Sequence, residues 1–146
     1  MWNFEAVFLK TGDINIEEST HEKLLGMMVS NKLDWVKHIE CLEKELRFRL
    51  YNLRRIEQEI PKSLLKKVAD GIFCSVLRYG LAIFCPIRIK ENDPNPTSIE
   101  GIKVIFNSML RLLCSKKLSD HESVDSMLNQ LGWLSINQLA CEQRLI

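Results

Sequence analysis

The side chains that could make or break bonds are scattered along this chain rather than gathered. Cys41 follows His38 by three positions and Ser19 precedes His21 by two. Either spacing could serve a nucleophile and its base, but neither pair sits in a motif that would orient one group on the other, so no catalytic residue is assigned. Asp13, Asp34, Asp70, Asp93, Asp120 and Asp125 stand alone, in positions that read as caps, turns or helix interiors. Nucleotidyl transfer needs two carboxylates holding metal ions about 3.5–4 Å apart, and there is no Asp-Asp pair. There is also no Gly-rich phosphate loop, no GxSxG and no HExxH. The five cysteines include no CxxC and the three histidines lack ligand-like spacing. No metal site is therefore assigned, and the thiols read as reduced and mostly buried, packing as small hydrophobes.

What remains is electrostatic. Residues 44–67 carry eight cations against three anions, although the whole chain has a net charge of only +1. Charge concentrated in this way suits a polyanion such as a phosphate backbone. The candidate contacts are Lys44, Arg47, Arg54, Arg55, Lys62, Lys66 and Lys67. The competing reading is a solvated helix face, supported by Glu40–Lys44 and Glu43–Arg47 at i,i+4 spacing, each pair worth roughly 0.2–0.5 kcal/mol. Trp35, Tyr51 and Tyr79 lie on or beside apolar stripes and read as core rather than as stacking platforms. His38, four residues after Asp34, reads as support for a helix start.

The elements that must position these residues are mainly helical. Trp35, Ile39, Leu42, Leu46, Leu50, Leu53, Ile56 and Ile60 recur at steps of three and four. At about 100° per residue they share one side of a helix over 34–59 with Asp34 as N-cap, placing Lys44, Arg47, Arg54 and Arg55 opposite. Pro61 opens a second helix over 61–85, which is apolar nearly all round after Ile72 and should be central. Residues 86–96 hold three prolines and read as a linker. Thr97-x-x-Glu100, Ser119-x-x-Glu122 and Ser135-x-x-Gln138 match the capping box and predict helices over 97–114, 122–131 and 135–146, with Gly132 ending the second of them. Before residue 30 the balance is acidic. Phe4–Leu9 and Ile14–Ile16 suggest a hairpin about Gly12-Asp13, and Leu24–Val29 a third strand. The expected fold class is α+β, mainly α-helical: a small hairpin or three-strand piece followed by about five helices round one core. No apolar run reaches the roughly 18–20 residues of a membrane span, and Met1–Lys10 lacks the features of a secretory signal. An intracellular protein with no membrane partner is expected.

Several short motifs occur in order along the chain. Leu25-Gly26-Met27, Leu33-Asp34-Trp35 and His38-Ile39 are followed by Arg49-Leu50-Tyr51, Leu53-Arg54-Arg55, Ile60-Pro61 and Leu77-Arg78-Tyr79-Gly80-Leu81. Met109-Leu110-Arg111-Leu112-Leu113, Asp120-His121 and Leu134-Ser135-Ile136-Asn137-Gln138-Leu139 complete the series. Together they resemble the reverse transcriptases of non-LTR retrotransposons, the jockey-like elements of animals in particular, beyond their polymerase palm.

The resemblance implies that residues 1–33 are the end of the palm, 34–85 a helical thumb, 86–96 a linker and 97–146 further helices of the same unit. It implies a template–primer duplex or RNA–DNA hybrid as partner, with Arg54, Arg55, Lys62, Lys66 and Lys67 toward it. The catalytic aspartates, their Mg²⁺ ions and the fingers would belong to the parent polymerase, so this chain would not be catalytic by itself. Its last helix pattern is still running at Ile146, which reads as a truncation, and separation from the palm would favour self-association. The alternatives are a helical protein-interaction module or a decayed mobile-element remnant.

Overall fold

In the computed structural model, which describes residues 9–11, 14–16, 19–85 and 99–145, the apolar repeat winds into α1, Val36–Ile56. Ile39, Leu42, Leu46, Leu50 and Leu53 are buried, whereas Trp35 and Ile60 are half-buried and Ile56 is exposed. Asp34 lies one residue too early to cap the helix. Trp35 occupies the N-cap without a side-chain bond, and the Asp34 N–H donates to Ser30 Oγ at 3.1 Å.

Two hairpins precede α1. β1, Leu9–Thr11, pairs antiparallel with β2, Ile14–Ile16, setting Thr11 opposite Ile14; Phe4–Phe8 and the Gly12-Asp13 turn lie outside the described residues. The expected third strand is instead a complete hairpin. β3, His21–Leu24, turns through Leu25-Gly26 into β4, Met27–Ser30, with Leu24 opposite Met27. Leu25 and Gly26 have φ of 47° and 85°, the mark of a type I′ turn. That turn prefers Asn or Asp before its glycine, and leucine there disguises it as the middle of a strand.

The single helix expected over 61–85 is divided. Pro61 sits at the N-cap, its carbonyl accepting the Leu64 and Leu65 N–H groups, and α2 runs over Lys62–Ala69. One π turn, Asp70–Cys74, leads into α3, Ser75–Arg78. Tyr79-Gly80, with Gly80 at φ 71°, then breaks the helix before α4, Leu81–Phe84. Phe73, Leu77, Leu81 and Phe84 are buried, but Ile72, Tyr79 and Ile83 are exposed, so this segment is amphipathic and not central.

After residue 98 come α5, Glu100–Cys114, a 3₁₀ turn at Leu118–Asp120, α6, Val124–Leu131, and α7, Ile136–Arg144. The Ser135/Gln138 capping box forms as expected, and Gly132 ends α6 at φ 64°. The Ser119/Glu122 box does not form as read. Ser123, not Ser119, caps α6 by accepting the Ser126 N–H at 3.1 Å, while Asp120 accepts the Lys117 N–H. α5 starts from Ile99 without a side-chain cap, and Thr97 lies outside the described residues.

The fold is thus α+β and mainly helical. α5 buries Ile102, Ile105, Phe106, Met109, Leu110 and Leu113 against α1 and its neighbours. No described helix is long and apolar enough to cross a membrane.

Candidate nucleic-acid interface

α1 and α5 run side by side in the same direction. A Cβ on Gly101 would meet the Glu43 carboxylate, Arg47 shares a depression with Val104, and Arg54 shares one with Ser108 and Arg111. Position 43 therefore faces 101, and 54 faces 108–111, so the two carboxyl ends meet. On α1 the buried stripe leaves Arg47, Tyr51 and Arg54 along the edge nearest α5. On α5 the buried stripe leaves Val104, Ser108 and Arg111 along the opposing edge.

The seam between them is an open groove. Its first depression, about 230 Å³, holds Arg47, Tyr51 and Val104, and its second, about 530 Å³, holds Arg111, Lys116 and Lys117. Arg54 and Ser108 line both, so the two depressions adjoin along the seam. Ser115 produces the second depression: at φ 54° it stops α5 in a left-handed cap and turns the chain back, its N–H on the Leu112 carbonyl and that of Lys116 on Arg111. Lys116 and Lys117 are thereby carried to the end of α1.

Few acids answer these cations. Glu57, the carboxylate in the second depression, holds Lys62 Nζ at 2.5 Å, and Lys62 also lies 3.4 Å from the Leu112 carbonyl. Lys116 pairs with Glu122 at 3.3 Å and Arg47 with Glu43 at 3.9 Å. Arg54, Arg111 and Lys117 form no ion pair among the described residues. Tyr51 is 58% exposed, with the Arg55 guanidinium 6.0 Å from its ring centre, so Tyr51 belongs to this surface and not to the core.

The sequence candidates divide accordingly. Arg47 and Arg54 line the groove, and Lys62 closes its end through Glu57 and the Leu112 carbonyl. Lys44 and Arg55 lie on the outer face of α1, and Lys66 and Lys67 on α2, outside the groove. Glu40 pairs with Lys37 at 3.2 Å instead of Lys44. Arg49, counted with the basic segment, turns to the other side, bonding Glu45 and the Ile72 carbonyl within the π turn. Arg111, Lys116 and Lys117 also line the groove, though the charge pattern of residues 44–67 does not include them. The signal available was the Lys116-Lys117 pair just after an amphipathic helix.

Other motif residues form a separate contact knot. The Tyr79 hydroxyl donates to the Leu25 carbonyl, and a Cβ on Gly26 would lie 3.4 Å from the Tyr79 ring. Gly80 lies against Met27, where any Cβ would strike the sulfur. The Met28 N–H faces His38 Nδ1 at 3.5 Å, and the His38 ring stands edge-on to Phe84 and Trp35 at 5.0 and 6.3 Å. Leu110 and Arg111 belong elsewhere, the first buried in α5 and the second in the groove. His38 is thus a buried ring beneath the second hairpin rather than a cap support, and burial pushes its pKa below the usual histidine value. Tyr79 is 56% exposed, fastening the hairpin from outside the core.

Neither nucleophile–base pair is assembled. His38 Nε2 is buried and Nδ1 faces Met28, while Ser19 donates to the His21 carbonyl and the His21 ring meets Thr20. No disulfide joins the five cysteines: Cys74 and Cys85 are buried, Cys114 half-buried, and Cys41 and Cys141 exposed. Burial, with Asp70 adding to it, pushes the Cys74 thiol up to about 12, so it is inert at neutral pH. Among the described residues no group of three or more His, Cys, Asp or Glu side chains could hold a metal ion. No protein-family model, curated protein or solved structure matches this chain.

Proposed function

We propose that this chain is a nucleic-acid-holding module corresponding to the thumb of an RNA-directed DNA polymerase of the non-LTR retrotransposon kind, and that it carries no catalytic residues itself. The observation behind the binding role is the α1/α5 seam, where Arg47 and Arg54 flank exposed Tyr51 and Val104 on two helices held in register. Guanidinium groups match phosphate oxygens in pairs, and an aromatic and an aliphatic side chain between them suit the sugar edge. Such contacts position a strand without reading its sequence. The polymerase assignment rests on the motif resemblance, and the metal-binding aspartates would lie in the parent protein.

Binding to a short RNA–DNA hybrid should weaken steeply with salt. Replacing Arg47 and Arg54 together with glutamine should reduce the log–log slope by roughly one to two units at unchanged fold, since each lost phosphate contact removes about 0.7–0.9. A slope that does not move in the folded double variant rejects the reading. A helix-binding adaptor is the second reading, favoured by Leu25 and Leu33, 82% and 73% exposed beside the second hairpin. It would show salt-insensitive binding of an apolar peptide and none of nucleic acid.

A further inference from the structure

We propose that the joined carboxyl ends of α1 and α5 form a phosphate clamp for a nucleic-acid strand, with Arg54, Arg111 and Lys117 as its contacts and Lys116 at its rim. The inference rests on the nucleic-acid reading above and adds the half of the binding surface that lies outside residues 34–85.

Helix geometry makes the clamp anomalous unless an anion visits it. Two parallel helices bring two negative dipole ends together, each worth about half an elementary charge, so some basic side chains are expected there as caps. Two carbonyls in the last turn of α5 are already answered, however. Leu112 and Arg111 accept the Ser115 and Lys116 N–H groups, and Leu112 lies within reach of Lys62 as well. Glu57, the one carboxylate among the described residues that line the groove, is engaged by Lys62 at 2.5 Å. Arg54, Arg111 and Lys117 are left facing a groove of about 530 Å³ with no ion pair among the described residues. Gathering like charges around an open groove costs the free protein self-repulsion, and a bound phosphodiester relieves it. Helical rise supplies the scale. From Arg47 to Arg54 the seam covers about 10 Å at 1.5 Å per residue, and the clamp extends it beyond the end of α1. At about 3.4 Å of axial rise per phosphate, a single strand lying along the whole groove presents several phosphates to it.

The test uses the full chain, labelled RNA–DNA hybrid and DNA duplex, and a salt titration. R111Q/K117Q should lower the log–log slope by roughly one to two units on both probes, narrowing the affinity loss between roughly 50 and 200 mM salt by about tenfold for two contacts. K44Q, on the outer face of α1, should change neither slope nor affinity. The circular dichroism spectrum and melting temperature check the fold. If R111Q/K117Q does not fold, K117Q alone, in an exposed turn, should reduce the slope by about one. A wild-type chain without salt-dependent binding overturns both this clamp and the reading it rests on. Wild-type binding that R47Q/R54Q weakens and R111Q/K117Q leaves unchanged overturns the clamp alone. A K44Q effect equal to that of R111Q/K117Q also overturns it, since the charge would then act from anywhere on the surface.

Discussion

His38 shows how one buried polar ring ties stability to pH. Its Nδ1 faces the Met28 N–H and can accept only when unprotonated, and the ring is packed between Phe84 and Trp35. Desolvation lowers its pKa in the folded protein below the ordinary 6.5. The unfolded chain therefore binds the proton more readily. The stability that His38 contributes is complete above the unfolded pKa and is lost as the pH falls through that value toward the folded one. Urea unfolding should give a lower stability at pH 5.5 than at pH 7.5, and His38→Phe should flatten the difference; a pH dependence identical in the variant would refute the assignment. Leu25 makes the converse point about backbone. A leucine at φ 47° is strained, and Asn suits the first central position of a type I′ turn. Leu25→Asn should raise the melting temperature by the equivalent of about 1 kcal/mol, because Tyr79 bonds only its carbonyl.

At the scale of elements, what was legible depended on whether the signal was local. The stripe from Ile39 to Leu53 fixed α1, and the Ser135/Gln138 box fixed the start of α7, because periodicity and capping are properties of neighbouring residues. The division of residues 62–84 was hidden, because it depends on partners distant in sequence. Gln143 accepts the Ala82 N–H and donates to the Arg78 carbonyl at the Tyr79-Gly80 break, and Arg144 bonds the Ala82 carbonyl at 2.8 Å and also the Cys85 carbonyl. Gln143 thus satisfies the Arg78 carbonyl and the Ala82 N–H, which an unbroken helix would have paired with each other. Gln143→Ala should cost about 1–3 kcal/mol by leaving two part-buried backbone groups without a protein partner. The two glycines of this stretch should separate in the same melts. A Cβ on Gly71 meets nothing within 4 Å, so Gly71→Ala should stabilise by about 0.5–1 kcal/mol. Gly80→Ala, at positive φ and against Met27, should destabilise.

Across the whole molecule, the candidate site was half legible. Arg47 and Arg54 could be read from charge concentrated opposite an apolar stripe, but Arg111, Lys116 and Lys117 join them only because α5 packs parallel to α1, a pairing that no local pattern encodes. The same limit applied to the second hairpin, whose contacts with Tyr79 and His38 span 54 and 10 positions. Both described sheets have only two strands, so every described strand is an edge, and the second hairpin also carries exposed Leu24 and Leu25, with Leu33 just beyond it. Unpaired edges beside exposed apolar side chains are a template for further strands. The isolated chain should therefore self-associate as its concentration rises, by a route that salt does not suppress. That separates it from binding at the basic groove, which salt weakens. Replacing Leu24 and Leu33 with lysine puts charge at each end of this hairpin, where neither side chain is buried. In sedimentation runs the variant should remain monomeric at concentrations where the parent chain associates, with its affinity for the hybrid and its salt slope retained. A parent chain that sediments as a single monomer at high concentration would show instead that these edges are already covered.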